Sequence, residues 1–266
     1  METQGPDSTK TLTIVMPFLN EAATLRSALE RLLSAELPVN LEAILVDDGS
    51  TDGGADSVAD LVDGQRVVLI RKEHGGKGSA VREGINAAGG DLLGILDADL
   101  EYDPQDLGAL LIPLLLGEAS VVYGTRAKGR SIAFSRVYAL GNWATSVWAS
   151  VLFRTRLSDI HTCLKVAPLA LWRALDLRTS GFEFDSEVTA GFLRAGHAIV
   201  EVPASYAARS RAAGKKLYWI DGVRTIATLT RVRISPRNGS ADHVPDRRQR
   251  EISRGSRQPS LDETPP

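Results

Sequence analysis

The sequence predicts an α/β fold, a mostly parallel sheet flanked by helices in one large domain. Three observations predict it. Short apolar runs alternate with stretches of helical periodicity. The run Leu92 to Leu96 has no polar side chain, which suits a strand covered on both faces. Polar clusters collect where the predicted strands end, the rim at which such sheets bind ligands.

The bounds fit this class. A chain of 266 residues can bury a sizeable core, and 43% hydrophobic with 24% charged residues is ordinary for a soluble globular protein. Cys163 is the only cysteine, which excludes an intrachain disulfide and fits a reducing compartment. The polar start of the chain lacks the basic and apolar parts of a signal peptide. The net charge of −2 hides an asymmetry: residues 1–120 carry −13 and residues 121–266 carry +11. An acidic half beside a basic half suits a cation site facing an anion or membrane site, with no feature that calls for nucleic acid.

In order, Leu12–Met16 reads as a strand stopped by Pro17, with Asn20 capping a helix that carries Leu25, Leu29, Leu32 and Leu33. Leu41–Val46 runs into Asp47-Asp48-Gly49-Ser50, and Val67–Ile70 leads to His74-Gly-Gly-Lys77-Gly-Ser79 and a second helix. That glycine-rich segment lacks Walker spacing, but can present N–H groups and Lys77 to a diphosphate at a helix start. The fourth strand ends in Asp97-Ala98-Asp99. Alternation along a strand puts Asp97 and Asp99 on one side, where two carboxylates repel unless a cation lies between them. Oxygen ligands alone favour Mg²⁺ or Mn²⁺ sharing its shell with phosphates. The plain alternative is an acidic turn into a helix start at Asp103-Pro104. Val121–Tyr123 is the fifth strand.

Pro17-Phe-Leu-Asn-Glu21, Val46–Asp52, Gly76–Ala80, Leu96–Glu101 and Gly124-Thr-Arg126 occur in the order found in inverting family 2 glycosyltransferases of the GT-A fold. The chain most resembles the branch with dolichol-phosphate mannose synthase and bacterial polyprenyl-phosphate glycosyltransferases, from about Leu12 to Ile234. The resemblance implies that Pro17, Leu19 and Glu21 line a nucleoside pocket, with Asp47 on the base or ribose and Lys77 near the diphosphate. It makes Asp97 and Asp99 the holders of metal and sugar diphosphate, with Glu101 the next carboxylate in reach. Arg126 corresponds to an arginine aimed at phosphate. Asp159–Lys165 and Gly181–Glu187 resemble further family segments, although capping and core packing explain Glu183 and Asp185 equally well. Arg209–Lys216 resembles a mobile basic loop, in which Arg211 and Lys216 would meet the acceptor phosphate; a solvated charge run is the ordinary alternative.

Between Arg136 and Arg154 lie 17 uncharged residues, the lower limit of the roughly 17–25 that span a bilayer. Asn142, Thr145, Ser146 and Ser150 gather on one side, opposite a stripe of Val137, Leu140, Ala144, Val147, Trp148 and Val151. This reads as an interfacial or groove-lining helix, against the alternative of a helix packed into the core. His161 and His197 read as structural. Tyr218–Leu229 reads as an amphipathic helix, followed by a tail too poor in apolar residues to fold.

The expected organisation is a flexible N-terminus (1–10), a catalytic domain (11–234) with a nucleotide-sugar half (11–125) and an acceptor half (126–234), and a disordered tail (235–266). The expected reaction moves a hexose from GDP-mannose or UDP-glucose to a polyprenyl or dolichyl phosphate, with Mg²⁺ or Mn²⁺, at the cytoplasmic face of a membrane. A soluble enzyme acting on a hydroxyl is the alternative, for which Asp159 would be the general base. A catalytically inactive nucleotide-sugar-binding protein is the reading from another class. A homo-oligomer stays open.

Overall fold

The computed structural model describes residues 10–127, 131–132, 136–208 and 219–235. These residues fall within one unit, Met1–Ser235. A seven-stranded sheet runs β3-β2-β1-β4-β7-β5-β8. Its strands are β1 (Thr11–Phe18), β2 (Asn40–Asp47), β3 (Val67–Arg71), β4 (Leu92–Ile95), β5 (Val121–Thr125), β7 (Lys165–Pro168) and β8 (Ile199–Pro203). A two-stranded ribbon pairs β6 (Ser131–Ile132) with β9 (Tyr206–Ala207). The helices are α1 (Leu25–Leu33), α2 (Lys77–Ala87), α3 (Asp106–Leu115), α4 (Arg136–Phe153), α5 (Leu169–Arg173), α6 (Phe184–Arg194) and α7 (Trp219–Ile234).

Apolar alternation covers both faces of the sheet. On β1, Leu12, Ile14 and Met16 join the cluster of Leu25, Leu29 and Leu107. Val15 points the other way, into the cluster of Val81, Trp172 and Phe184. Burial on both sides is why these strands carry apolar runs.

Two expectations need correction. Pro17 does not stop β1, which continues to Phe18 paired with β2. Pairing with β4 ends at Val15, so beyond it β1 has a free edge on which proline is tolerated. Asn20 is not the cap of α1, which Thr24 precedes. Asn20 adopts φ 55° and accepts a hydrogen bond from the Thr51 N–H at 2.8 Å, tying the end of β1 to the loop after β2. One strand, β7, begins at the end of the Asp159–Lys165 segment. It lies antiparallel between β4 and β5, so the fourth and fifth strands are not neighbours.

The antiparallel strand matters for the site. Because β7 runs against the others, its beginning lies at the rim where β1, β2, β4 and β5 end. The segment Asp159–Leu164 is thereby delivered to the side that carries Asp47, Asp97 and Arg126.

Candidate functional site

The rim holds two ion-pair systems. In the first, β4 ends at Ile95, and Asp97 and Asp99 sit in the following turn rather than in the strand. The expected alternation survives in exposure: both carboxylates are half-buried, while Ala98 is 2% exposed. Lys77, the first residue of α2, places Nζ 2.8 Å from Asp97 Oδ2 and 3.7 Å from Asp185 Oδ2. Burial alone would push this ammonium down, but the Asp97 and Asp185 charges raise it above its ordinary value. Asp185 also binds the fully buried Lys165 at 2.6 Å. Burial would raise the Asp185 carboxyl, yet Lys165 and Lys77 hold it below the usual carboxylate range.

The loop before Lys77 is held by Asp48. Its carboxylate accepts the Gly75 and Gly76 N–H groups at 2.9 and 2.8 Å and pairs with Lys72 at 2.8 Å. Gly76 has φ 91°, and a Cβ there would collide with the Ser180 carbonyl, which itself accepts the Gly78 N–H. Only glycine lets the start of α2 lie this close to the segment entering α6. That approach sets Lys77 and Asp185 within reach of each other.

The second system is closed. Arg126, just past β5, forms a two-pronged pair with Asp159 at 2.6 and 2.7 Å. Asp159 also accepts from Asn142 at 3.0 Å and from the His161 N–H at 3.2 Å, and it is 0% exposed. Burial would raise this carboxyl, but the bonds and charge of Arg126 keep it below its ordinary value. Asp159, expected as a general base, is thus found with its oxygens bonded to Arg126, Asn142 and the His161 N–H. The guanidinium lies 5.0 Å from the Tyr206 ring centroid, and that ring lies 5.1 Å from the ring of Tyr102.

Glu101, expected as a further metal carboxylate, accepts the Tyr206 hydroxyl at 2.5 Å instead. Among the described residues, no three His, Cys, Asp or Glu side chains converge to hold an ion by themselves. The three-carboxylate set Asp97, Asp99 and Glu101 is thus not assembled. The donor chemistry still fits Mg²⁺ or Mn²⁺, which needs only one or two protein carboxylates when phosphates supply the rest. A positive group, the Lys77 ammonium, already lies against Asp97.

A cleft of about 320 Å³ opens beside the end of β2, lined by Asp47, Ser50, Thr51, Asp56 and Arg71 among others. Of the residues expected around a nucleoside, Asp47 lines it; Pro17, near the end of β1, and Leu19 and Glu21, just after it, lie outside its lining. Arg71 and Asp56 were not singled out from the sequence, because one ends a strand and the other lies in a short 3-10 helix (Gly54–Leu61). Asp185 reads from the sequence equally as part of a family segment and as a capping or core residue, and its link to Lys77 spans elements far apart in sequence. Arg211 and Lys216 lie outside the described residues.

On α4 the polarity is reversed relative to a helix packed into a core. Thr145 and Ser146 are buried; Thr145 meets His161 at 3.0 Å and Ser146 accepts the Ile160 N–H at 3.3 Å. Leu140, Trp143, Val147, Trp148 and Val151 are exposed, Trp143 by 61% and Val151 by 66%. Neighbouring α7 adds exposed Val223 and Ile226. Among the described residues no helix is long and apolar enough to cross a membrane.

Residues 13–167, more than half of the chain, match the model for glycosyl transferase family 2. An undecaprenyl-phosphate 4-deoxy-4-formamido-L-arabinose transferase of Proteus mirabilis is 35% identical over 133 residues, covering 47% of this chain and 39% of the relative. A dodecaprenyl-phosphate galacturonate synthase of Rhizobium johnstonii is 26% identical over 219 residues, covering 80% of this chain and 64% of the relative. The chain thus spans less than two thirds of the length of these curated relatives. The fold is shared with a glucosyl-3-phosphoglycerate synthase of Mycobacterium tuberculosis solved with Mn²⁺, UDP and glucosyl-3-phosphoglycerate. There the TM-score is 0.63 at 24% identity, over 86% of this chain and 82% of the other.

Proposed function

The chain belongs to glycosyl transferase family 2, with the mostly parallel sheet of the GT-A fold, and on that premise we propose that it moves a hexosyl group from a nucleotide-diphosphate sugar to a polyprenyl phosphate. The observation that carries the choice of acceptor is the saturation of Asp159. A hydroxyl acceptor needs a general base within hydrogen-bond reach. A phosphate monoester does not, because its second pKa near ~6 leaves it largely a dianion at neutral pH. It needs positioning, and Arg126, held by Asp159 and Tyr206, is built to position an anion. Relatives named for undecaprenyl and dodecaprenyl phosphate support the same choice.

In this reading residues 11–125 form the donor half and residues 126–234 the acceptor half. Asp47 and the cleft beside it receive the nucleoside, flanked by Pro17, Leu19 and Glu21. Lys77 meets the diphosphate. Asp97 and Asp99 hold Mg²⁺ or Mn²⁺, which would neutralise charge on the departing nucleoside diphosphate. Arg126 orients the acceptor phosphate, and Arg211 and Lys216 are assigned to the same anion. The apolar outer faces of α4 and α7, with Trp143 and Trp148, rest against the membrane that carries the lipid, at its cytoplasmic face.

The test is a donor screen read by release of UDP or GDP, with polyprenyl phosphate or a polyprenol as acceptor, with and without Mn²⁺. We expect release that requires both the lipid phosphate and the divalent ion, from UDP-glucose or GDP-mannose. Release with hydroxyl acceptors alone, or with none, overturns the reading.

A further inference from the structure

The Lys77 ammonium stands between two carboxylates, 2.8 Å from Asp97 and 3.7 Å from Asp185. Asp97 carries 26% of its side-chain exposure, Lys77 15% and Asp185 8%, so the lysine bridges the open rim and the interior. Asp185 is not an exhausted partner. One of its oxygens binds Lys165, and the other faces Lys77. Lys165 is wholly buried and also donates to the Thr162 carbonyl, so it cannot follow Lys77 toward solvent. The backbone at both ends is fixed: Gly76 and Gly78 lock the start of α2 onto Thr179 and Ser180, which lead into α6. Only the flexible stem of Lys77 is left to move, and the two berths differ by less than the reach of its terminal bonds.

A divalent ion on Asp97 would meet the Lys77 charge at close range. Two cations cannot share that carboxylate without cost. Resting on the glycosyltransferase reading, we propose that Asp185 is a positioning residue: it gives Lys77 a second berth, so the lysine leaves Asp97 as a metal ion arrives and stays beside the diphosphate site. Lys77 is then an internal counter-ion of the empty site and an anion ligand of the loaded one. Asp185 touches neither donor nor acceptor and acts through Lys77.

The two ends of this exchange give opposite signs in metal binding, read without turnover. In full-length protein, Mn²⁺ alone is titrated and followed by electron paramagnetic resonance. In Lys77→Met the competitor for Asp97 is gone, and the Kd for Mn²⁺ falls about 10-fold, equivalent to ~1.4 kcal/mol. In Asp185→Asn the second berth is weakened, and the Kd rises several-fold. The double variant binds Mn²⁺ as Lys77→Met does. Should Asp185→Asn fail to fold by circular dichroism, Lys77→Met reads the same competition from the other end. Unchanged Mn²⁺ affinity in Lys77→Met, with wild type active in the donor screen, overturns the exchange and leaves the glycosyltransferase reading intact. A wild type that neither binds Mn²⁺ nor releases nucleotide from any donor overturns both.

Discussion

Asp97–Lys77 and Asp159–Arg126 are both carboxylate–cation pairs at 2.8 and 2.6 Å on one rim. They differ in everything around them. Asp97 is 26% exposed and its lysine has another carboxylate within reach, whereas Asp159 is fully buried and its oxygens are taken by Arg126, Asn142 and the His161 N–H. A pair that is open to water and has an alternative partner can be exchanged for a ligand. A pair that is buried and saturated cannot, because breaking it leaves an uncompensated charge. The first is suited to receiving something; the second is suited to holding Arg126 still.

Four measurements test this contrast, from the largest effect down. Asp159→Asn leaves Arg126 without a full counter-charge and should lower stability by ~3–5 kcal/mol. Calorimetry should then show a melting point lower by roughly 6–20 °C, taking ~2–4 °C per kcal/mol for a domain of this size. A shift under about 2 °C would mean the pair is as exchangeable as the other one. Asp97→Asn should leave the melting point nearly unmoved while transfer falls about 10²–10³-fold, the scale for losing a preorganised charge-stabilising group. Retained transfer would remove Asp97 from the site.

The third measurement concerns His161, whose N–H donates to Asp159 of the closed pair and whose imidazole is pushed by burial down to about 4. The unfolded state, with an ordinary histidine near ~6.5, binds the proton more readily between those values. Stability should therefore fall as pH drops from ~6.5 to 4, by up to about 3 kcal/mol, and hold steady above. His161→Gln should flatten most of that slope in denaturant titrations; an unchanged slope would place the titration elsewhere. The smallest effect is expected from Tyr206→Phe, which removes the bond to Glu101 and should cost about 1.5 kcal/mol. Its Mn²⁺ affinity should stay within about 3-fold, or ~0.7 kcal/mol. A large gain would restore Glu101 as a third metal carboxylate.

Much of the rim was legible in the chain. Apolar runs such as Leu92–Leu96 mark strands buried on both faces, and Asp47, Lys77, Asp97 and Arg126 follow strand ends closely enough to be placed on one rim. Local pattern misled where the partner was distant. Asn20 has the residue type of a helix cap but bonds to Thr51, and Glu101 sits two residues after Asp99 but accepts the Tyr206 hydroxyl. The direction of α4 was also undecided, since its polar and apolar stripes were visible while the side facing the protein was not.

The sequence by itself determined the periodicities, the order of strands and helices, and the presence of carboxylates, a lysine and an arginine at strand ends. These are local properties, set by neighbours within a few residues. Tertiary structure alone decided which charges are closed and which stay open. The antiparallel insertion of β7 buries Asp159 against Arg126, and the glycine contact at Ser180 brings Asp185 to Lys77. The strength and exchangeability of an ion pair depend on the solvent and partners around it, and those come from parts of the chain far away in sequence.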